Sequence, residues 1–535
     1  MSKGFRQSQS TLHTWSGLLL GWVLFLVFLT GTLAFWREGL NRYMRPELPP
    51  VTQPMRVLAG AQRFLQAKAP DGKSWFVTLP SERLPGAQVF WVPQPKAGEA
   101  PRGRRGGGGR RGRDTQALIG ADGQPVHARE TRGGEFFYRF HFDLHYMPVI
   151  WARWLVGVAA AMMLVAILTG IVTHKKIFRD FFTLRRGKGQ RSWLDGHNAT
   201  AVLALPFHLM ITYTGLVTLM ALLMPWAAVA NYVDPAKANE ALFPHVEAPA
   251  RSGRPAPLAD LSRIVADAER RLGGPAGYLE VSEAGDAAAR VTVLRAPTTL
   301  LNTRAPSITY DGVSGRPVWR SPAPGGAAAT AGVMIGLHAG RFADVALRWI
   351  YFLCGVAGTL MVASGLVLWT VKRREKLPDP VRPPLGFRIV ERLNVATIAG
   401  FPLGVAAMFW ANRLLPAAMP GRAELEVNLL FLAWAAAALL ALLCRPAWTW
   451  RALFAATGVL LIALPVFNLV GPGRGTFGPL LAGDLVPVGV DATMVAFGAG
   501  LLAVARRIAR HRPAERNRTR RAPATPSVRV LEPAE

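Results

Sequence analysis

Cysteine is nearly absent: the 535 residues contain only Cys354 and Cys444. Both fall inside apolar runs, where they read as small buried side chains. A disulfide framework is therefore excluded, and with no Cys-x-x-Cys cluster so is an iron–sulfur centre. Carboxylates are scarce as well, 33 Asp and Glu against 62 Lys and Arg, a net charge of +29. That surplus does not make a nucleic-acid binder. Much of it lies in short loops beside apolar runs, where membrane topology calls for it. The basic Gly-rich run at 101–113 has no interleaved aromatics on which bases could stack, and reads as a flexible solvated insertion. No His-Glu-x-x-His, Gly-x-Ser-x-Gly or P-loop occurs, and no Gly-x-Gly-x-x-Gly follows a strand. The usual hydrolytic and nucleotide-binding constellations are missing.

Long apolar runs are what the chain has instead. Those of about 18 residues or more with few charges predict membrane spans. Eight are expected, at about 14–36, 148–173, 199–226, 344–371, 395–415, 427–444, 452–471 and 485–505. Lys3 and Arg6 precede the first. Lys175, Lys176, Arg179, Arg185, Arg186, Lys188 and Arg191 lie between the second and third. Lys372, Arg373, Arg374 and Lys376 follow the fourth, and Arg506, Arg507, Arg510 and Arg512 the eighth. With eight spans all these charges fall on one side, which the positive-inside rule makes cytoplasmic, together with both termini. The polar segments 37–147 and 227–343 then lie outside. The first apolar run is too long for a cleaved signal peptide and is followed by no Ala-x-Ala-like site, so it is expected to stay as an anchor. The arginine-rich tail from Arg506 is expected to lie against anionic lipid.

The outer segments repeat one another. Residues 54–68 and 258–272 have helical spacing of apolar positions, and each is followed by short strand-like runs. Asp122-Gly123 and Asp311-Gly312 mark hairpin turns near the end of each. Two small α+β modules are expected, with no catalytic constellation in either.

The spans repeat too. His13 and His197 open matching helices, and a Thr-Gly pair follows 17 residues on in both, Thr30-Gly31 and Thr214-Gly215. His145 and His338 announce the next matching helices, which contain Arg153-Trp154 and Arg348-Trp349. An ionisable side chain in or at a span is a functional candidate by default. Paired imidazoles on facing helices are what a haem iron takes as axial ligands. Repeat symmetry proposes His13 with His197 and His145 with His338, at opposite membrane faces. His174 and His208 have Trp369 and Leu24 as their counterparts, and stand as alternatives because His208 would shorten the step between faces. His141, four residues before His145, shares its face if helical and could replace it. Arg153, Arg348 and Arg341 are candidates for haem propionates, or else snorkel to the headgroups. The glycines of the Thr-Gly and Ser-Gly pairs allow close approach of a haem face or of a neighbouring helix.

The stretches LHTWSGLLLGWVLFLVFLTG, LTGIVTHKKIFRDFFTLRRGKGQRSWLDGHNATAVLALPFHLMITYTG and LHAGRF…RWIYFLCGVAGTLMVASGLVLW resemble the PepSY-associated transmembrane helix family over about residues 10–376. The outer modules resemble PepSY domains more loosely. The family includes iron-regulated membrane proteins and ferric-siderophore reductases. The resemblance therefore implies two b-type haems and electron transfer from the cytoplasmic side to a periplasmic ferric siderophore or other iron chelate. It implies a mainly α, polytopic protein of a bacterial inner membrane.

The domains expected are a first span (1–36), a PepSY-like module (37–147), two spans with a basic loop (148–226), a second module (227–343) and a fourth span (344–376). A membrane extension of about four helices (377–505) and a basic tail (506–535) complete the chain. No cytoplasmic loop is long enough for a flavin domain, so the electron donor is expected to be a separate protein, a diffusing reductant or membrane quinol. Two other readings stand beside the conduit. One is a transporter component for siderophore or iron, with the same histidines and arginines lining a path. The other is a non-catalytic sensor or protease-modulating protein, which leaves the membrane histidines unexplained.

Overall fold

The computed structural model describes the chain apart from residues 1–3, 49–53, 96–114, 174–184, 471–479 and 511–535, and the short positions 82, 85, 121, 186, 188, 248, 380–381 and 481–482. Helices dominate. The first repeat opens with α1 (Phe5–Leu19) and α2 (Gly21–Ala34), followed by α3 (Arg37–Tyr43). The first outer segment folds as α4 (Pro54–Lys68), β1 (Ser74–Thr78), β2 (Ala87–Val92) and β3 (Gln116–Ile119). The chain returns through α5 (Gly133–Asp143) and α6 (Val149–Thr173). The second repeat has α7 (Gln190–Leu203) and α8 (Leu205–Thr218), then α9 (Leu261–Leu272) and four strands. These are β4 (Ala276–Ser282), β5 (Arg290–Arg295), β6 (Ser307–Asp311) and β7 (Pro317–Arg320). It closes with α10 (Gly326–Ala339) and α11 (Val345–Arg374). The extension is α12 (Leu385–Leu414), α13 (Arg422–Leu443), α14 (Pro446–Val470) and α15 (Leu485–Arg510).

Among the described residues six helices are long and apolar enough to cross a membrane, and eight segments do so if each bent pair is one span. The chain is a polytopic membrane protein. The spans expected at 14–36 and 199–226 differ in form. Each is a broken helix, α1–α2 bent by 66° and α7–α8 by 68°. The breaks fall at Leu20 and Ala204, which are repeat-equivalent and share nearly the same backbone angles. Pro206 accounts for a break beside it in the second repeat, because its ring excludes the preceding residues from a helix. Trp22 stands in its place in the first repeat. The bend therefore belongs to the packing of the unit: in both copies the first leg packs on the long span (α1 on α6, α7 on α11) and the second on the helix leading into it (α2 on α5, α8 on α10).

The outer modules are not separate. Their strands form one antiparallel sheet of seven in the order β3-β2-β1-β4-β5-β6-β7. The join is β1 against β4, with Trp75 opposite Val281 and Val77 opposite Leu279. Each half alone would expose a strand edge of unpaired backbone groups, and pairing edge to edge satisfies both. Both amphipathic helices bury their apolar stripes in a common core: Val57, Leu58, Ala61 and Leu65 of α4 meet Ile264, Val265 and Ala268 of α9 over Trp75, Val77, Leu279 and Val293. Asp260 caps α9 by accepting from the Ser262 N–H at 2.8 Å, and Gly273 ends it in the left-handed region at φ 68°. The expected hairpin turns are present. The carboxylates of Asp122 and Asp311 take backbone N–H groups inside their own turns.

The loop between β5 and β6 rests on α10. Thr303 donates through both N–H and Oγ1 to the Gly332 carbonyl at 3.1 Å, and an ideal Cβ on Gly336 would lie 1.7 Å from the Leu301 carbonyl oxygen. Only glycine permits that approach. The extension packs on the first repeat, with Phe136, Phe137 and Phe140 of α5 against Phe401, Met408, Phe409 and Leu430.

Candidate functional site

Two pairs of histidines come together between the repeats. His13 on α1 and His197 on α7 have ring centroids 6.3 Å apart with planes at 70°. His141 on α5 and His338 on α10 have centroids 6.0 Å apart with planes at 32°. The first is the symmetric pair expected. The second corrects the expectation, because His141 and not His145 faces His338. Leu144-His145 resembles Leu337-His338 in the local sequence, but helix α5 ends at Asp143, and Leu144, His145 and Tyr146 form a turn with φ of 48°, 32° and 44°. The turn carries the His145 ring away to stack on Phe431 at 5.4 Å. His141 lies inside α5 as His338 lies inside α10, and so occupies the equivalent place.

All four imidazoles are held by one device. Nδ1 of His13 donates to the Ala166 carbonyl at 2.8 Å, His197 to Met361 at 2.9 Å, His141 to Val27 at 2.8 Å and His338 to Ile211 at 3.0 Å. A carbonyl only accepts, so each Nδ1 carries the proton and Nε2 is the nitrogen left for a metal. Four residues beyond each carbonyl stands a glycine: Gly170, Gly365, Gly31 and Gly215. An ideal Cβ at these positions would meet the seated ring at 3.3, 3.2, 2.6 and 2.9 Å respectively. Three residues beyond each carbonyl stands a hydroxyl. Those of Thr169, Ser364 and Thr214 lie 3.5, 3.3 and 3.3 Å from the histidine Nδ1 in their seats. The Thr-Gly and Ser-Gly pairs are thus seats for imidazole rings on a neighbouring helix.

The seats bring the two pairs closer than a span's length. Along each broken helix the first histidine and the seat of the other pair are 14 residues apart, which with the bend is roughly 17 Å, against roughly 30 Å for a hydrocarbon core.

A cavity of about 1190 Å³ opens beside the first pair. It exceeds the roughly 300–1,000 Å³ of ordinary small-molecule sites. His13 and His197 line it with Met163, Leu205 and Met361, and Arg6, Lys372, Arg373 and Lys376 ring one end. The spacing of the rings tests what it would hold. An imidazole nitrogen binds a first-row metal at about 2.0–2.1 Å and its ring centre lies about 1.2 Å further back, so coaxial rings about one ion have centroids roughly 6.4 Å apart. Both pairs match. Among the described residues no cluster of three or more His, Cys, Asp or Glu could hold a metal ion. Two imidazoles leave the equatorial positions of an iron unfilled, which a macrocycle supplies and this protein does not. His13 with His197, and His141 with His338, are the residues that would hold a haem iron.

The remaining candidates divide. His208 is fully buried on α8 and lines the same cavity. His174 lies outside the described residues. Arg153 is engaged by Asp143 at 2.9 Å and stands over Phe142, and Arg348 is buried with its guanidinium over Trp36 at 4.6 Å. Arg341 is half-buried in the turn after α10. The basic groups at the mouth of the cavity are those anticipated only as topology signals.

The sequence reading also missed a buried polar network joining the extension to the first repeat. Arg422 and Glu426 are fully buried and paired. Glu426 also accepts from Thr131 and, at 2.8 Å, from the Asn412 amide. Tyr43 donates to Asp491 at 2.7 Å beside Asn468. An Arg and a Glu four apart at the head of an apolar run was the available signal.

The profile of the PepSY-associated TM region matches residues 10–372, a span that holds both histidine pairs and all four seats. An uncharacterized protein of Pseudomonas aeruginosa is 31% identical over 373 residues, covering 65% of this chain and 89% of that protein. The family match runs through the duplicated unit, and the chain belongs to the family of the PepSY-associated TM region.

Proposed function

We propose that this protein carries electrons across a bacterial inner membrane through two b-type haems, one between His13 and His197 and one between His141 and His338, to a ferric chelate such as a siderophore outside. The observation that supports this best is the spacing of the two ring pairs, 6.3 and 6.0 Å, each set for one ion between imidazoles. A haem iron in such a site supplies one-electron Fe(III)/Fe(II) chemistry. Everything else falls to the chain's own groups. The carbonyls of Ala166, Met361, Val27 and Ile211 fix the tautomer and make each Nε2 more basic. Arg6, Lys372, Arg373 and Lys376 at the cavity mouth suit carboxylate groups of a macrocycle. The positive-inside rule assigns that end to the cytoplasm. The loop between β5 and β6 is bound through Thr303 to α10, the helix of His338, which ties the outer module to the second pair. Ferric iron is hard and tightly chelated. Its reduction leaves Fe(II), which the chelator holds weakly, and the ion is released.

The visible spectrum of the protein purified from haem-replete cells tests the proposal. Two haems per chain, with bands that shift on dithionite, are expected. A colourless protein overturns the conduit and favours the competing reading, a transport path lined by the same side chains.

A further inference from the structure

We infer that His208 sets the redox potential of the group held by His13 and His197, acting from the cavity wall between the two pairs without ligating it. The inference rests on the haem reading above. His208 is fully buried, and among the described residues neither ring nitrogen has a hydrogen-bond partner. The backbone of Ala201 and of Cys354 lies near the ring without reaching hydrogen-bond geometry. A buried imidazole left unbonded costs free energy that a leucine would not, so a ligand to that imidazole is the natural explanation. The ring lines the cavity that His13 and His197 line, which is where such a ligand would sit.

Comparison of the repeats shows that the place was made for it. The counterpart of His208 is Leu24, buried in the wall of the same cavity. The counterpart of Gly358, which packs against His208, is Met163. An ideal Cβ on Gly358 would lie 2.5 Å from Cε1 of Phe28 and 3.1 Å from the His208 Nε2. One repeat thus pairs Leu24 with Met163, both in one apolar cluster, and the other pairs His208 with glycine. The imidazole replaces a leucine, and the glycine opposite leaves room for Phe28 and for the imidazole beside it. An otherwise duplicated cavity gains one polar group on one wall.

His208 also stands between the pairs along the chain. It lies four residues past the break at Ala204 and three before Ile211, whose carbonyl seats His338. It has no partner ring of the kind the four seated histidines have. Its ring neighbours are Phe28 and Phe207, each at 6.1 Å. A polar group at this wall stabilises the more highly charged ferric state, and an apolar one does not, so removing the imidazole raises the potential.

The test is a redox titration of the full-length protein in nanodiscs, with His208→Leu and His208→Gln compared with the natural chain. Leucine reproduces the other repeat, and glutamine keeps a hydrogen-bonding group of similar reach. Two haems per chain are expected in all three. One midpoint should rise in His208→Leu and rise less in His208→Gln, and the other midpoint should hold. The axial planes lie at 70° in one pair and 32° in the other, so low-spin ferric resonance signals distinguish them. The shifted one should be the pair at 70°. Loss of one haem from both variants makes His208 a ligand and overturns the inference. Unchanged midpoints, or equal shifts in Leu and Gln, overturn it as well. Should His208→Leu not accumulate, His208→Ala takes its place: a rise in one midpoint larger than that of His208→Gln supports the inference, and an unchanged midpoint or a lost haem overturns it. Absence of haem from the natural chain instead overturns the function proposed above.

Discussion

The ring of His141 sits on Gly31, with its Nδ1 donating at 2.8 Å to the carbonyl of Val27 one turn earlier. Three other histidines are seated in the same way, each on a glycine of a neighbouring helix. The arrangement makes the glycine as necessary as the imidazole, because any side chain there occupies the space of the ring.

Gly31→Ala is expected to displace His141, since its Cβ would approach the ring at 2.6 Å where carbon contacts are ordinarily about 3.5–4.0 Å. Overpacking of this kind costs about 1–3 kcal/mol. Gly170→Ala, at 3.3 Å from His13, should be milder. Haem per chain, measured on the purified variants, should fall further for Gly31→Ala and Gly215→Ala than for Gly170→Ala and Gly365→Ala. The reverse order would falsify the seat as described.

Histidine substitutions separate the two pairings of the second site. His141→Ala should remove one haem, as should His13→Ala, His197→Ala and His338→Ala. His145→Ala should leave both in place, because that ring stacks on Phe431. Arg153→Ala should also leave the spectrum unchanged. Its partly exposed pair with Asp143 contributes at most about 1 kcal/mol. Haem loss from His145→Ala with retention in His141→Ala would restore the pairing expected from sequence.

Glu426→Ala should loosen the extension from the first repeat. It leaves the Arg422 guanidinium buried without its carboxylate, which typically costs about 3–5 kcal/mol. A fall in thermal midpoint by several degrees is expected, with both haems still bound at low temperature. An unaltered midpoint would show that the buried pair adds nothing to the joint.

Acid should weaken the sheet module. Burial pushes the Asp286 carboxyl up, but hydrogen bonds from Ser252 and from the Ala288 N–H outweigh it and bring its pKa down to about 2. A depressed carboxylate contributes stability that is complete above the ordinary aspartate value of about 3.9 and is lost as pH falls through about 2. Thermal unfolding followed between pH 5 and 2 should show this decline, and Asp286→Asn should flatten it. Parallel curves for the two proteins would remove Asp286 from the account.

The spans, the duplication, the helix-plus-strand character of the outer segments and the four-helix extension were legible because each leaves a local signal. Apolar length marks a span, a period of 3.6 marks α9, and Asp-Gly marks a turn. His13 and His197 were legible as a pair because their helices repeat without insertion. His141 was not, because Leu144-His145 copies the wording of Leu337-His338 at a place where the backbone turns instead of continuing.

By itself the sequence determined which segments enter a membrane, that a unit is repeated, and which histidines are available to a metal. Hydropathy and periodicity are properties of neighbouring residues, and a chain carries them before it folds. Tertiary structure decided that two modules share one sheet, that His338 meets His141, that the Thr-Gly and Ser-Gly pairs are imidazole seats, and that the two pairs are closer than a membrane's thickness. Those depend on how helices cross and where a span bends, and both are settled only when the repeats pack against each other.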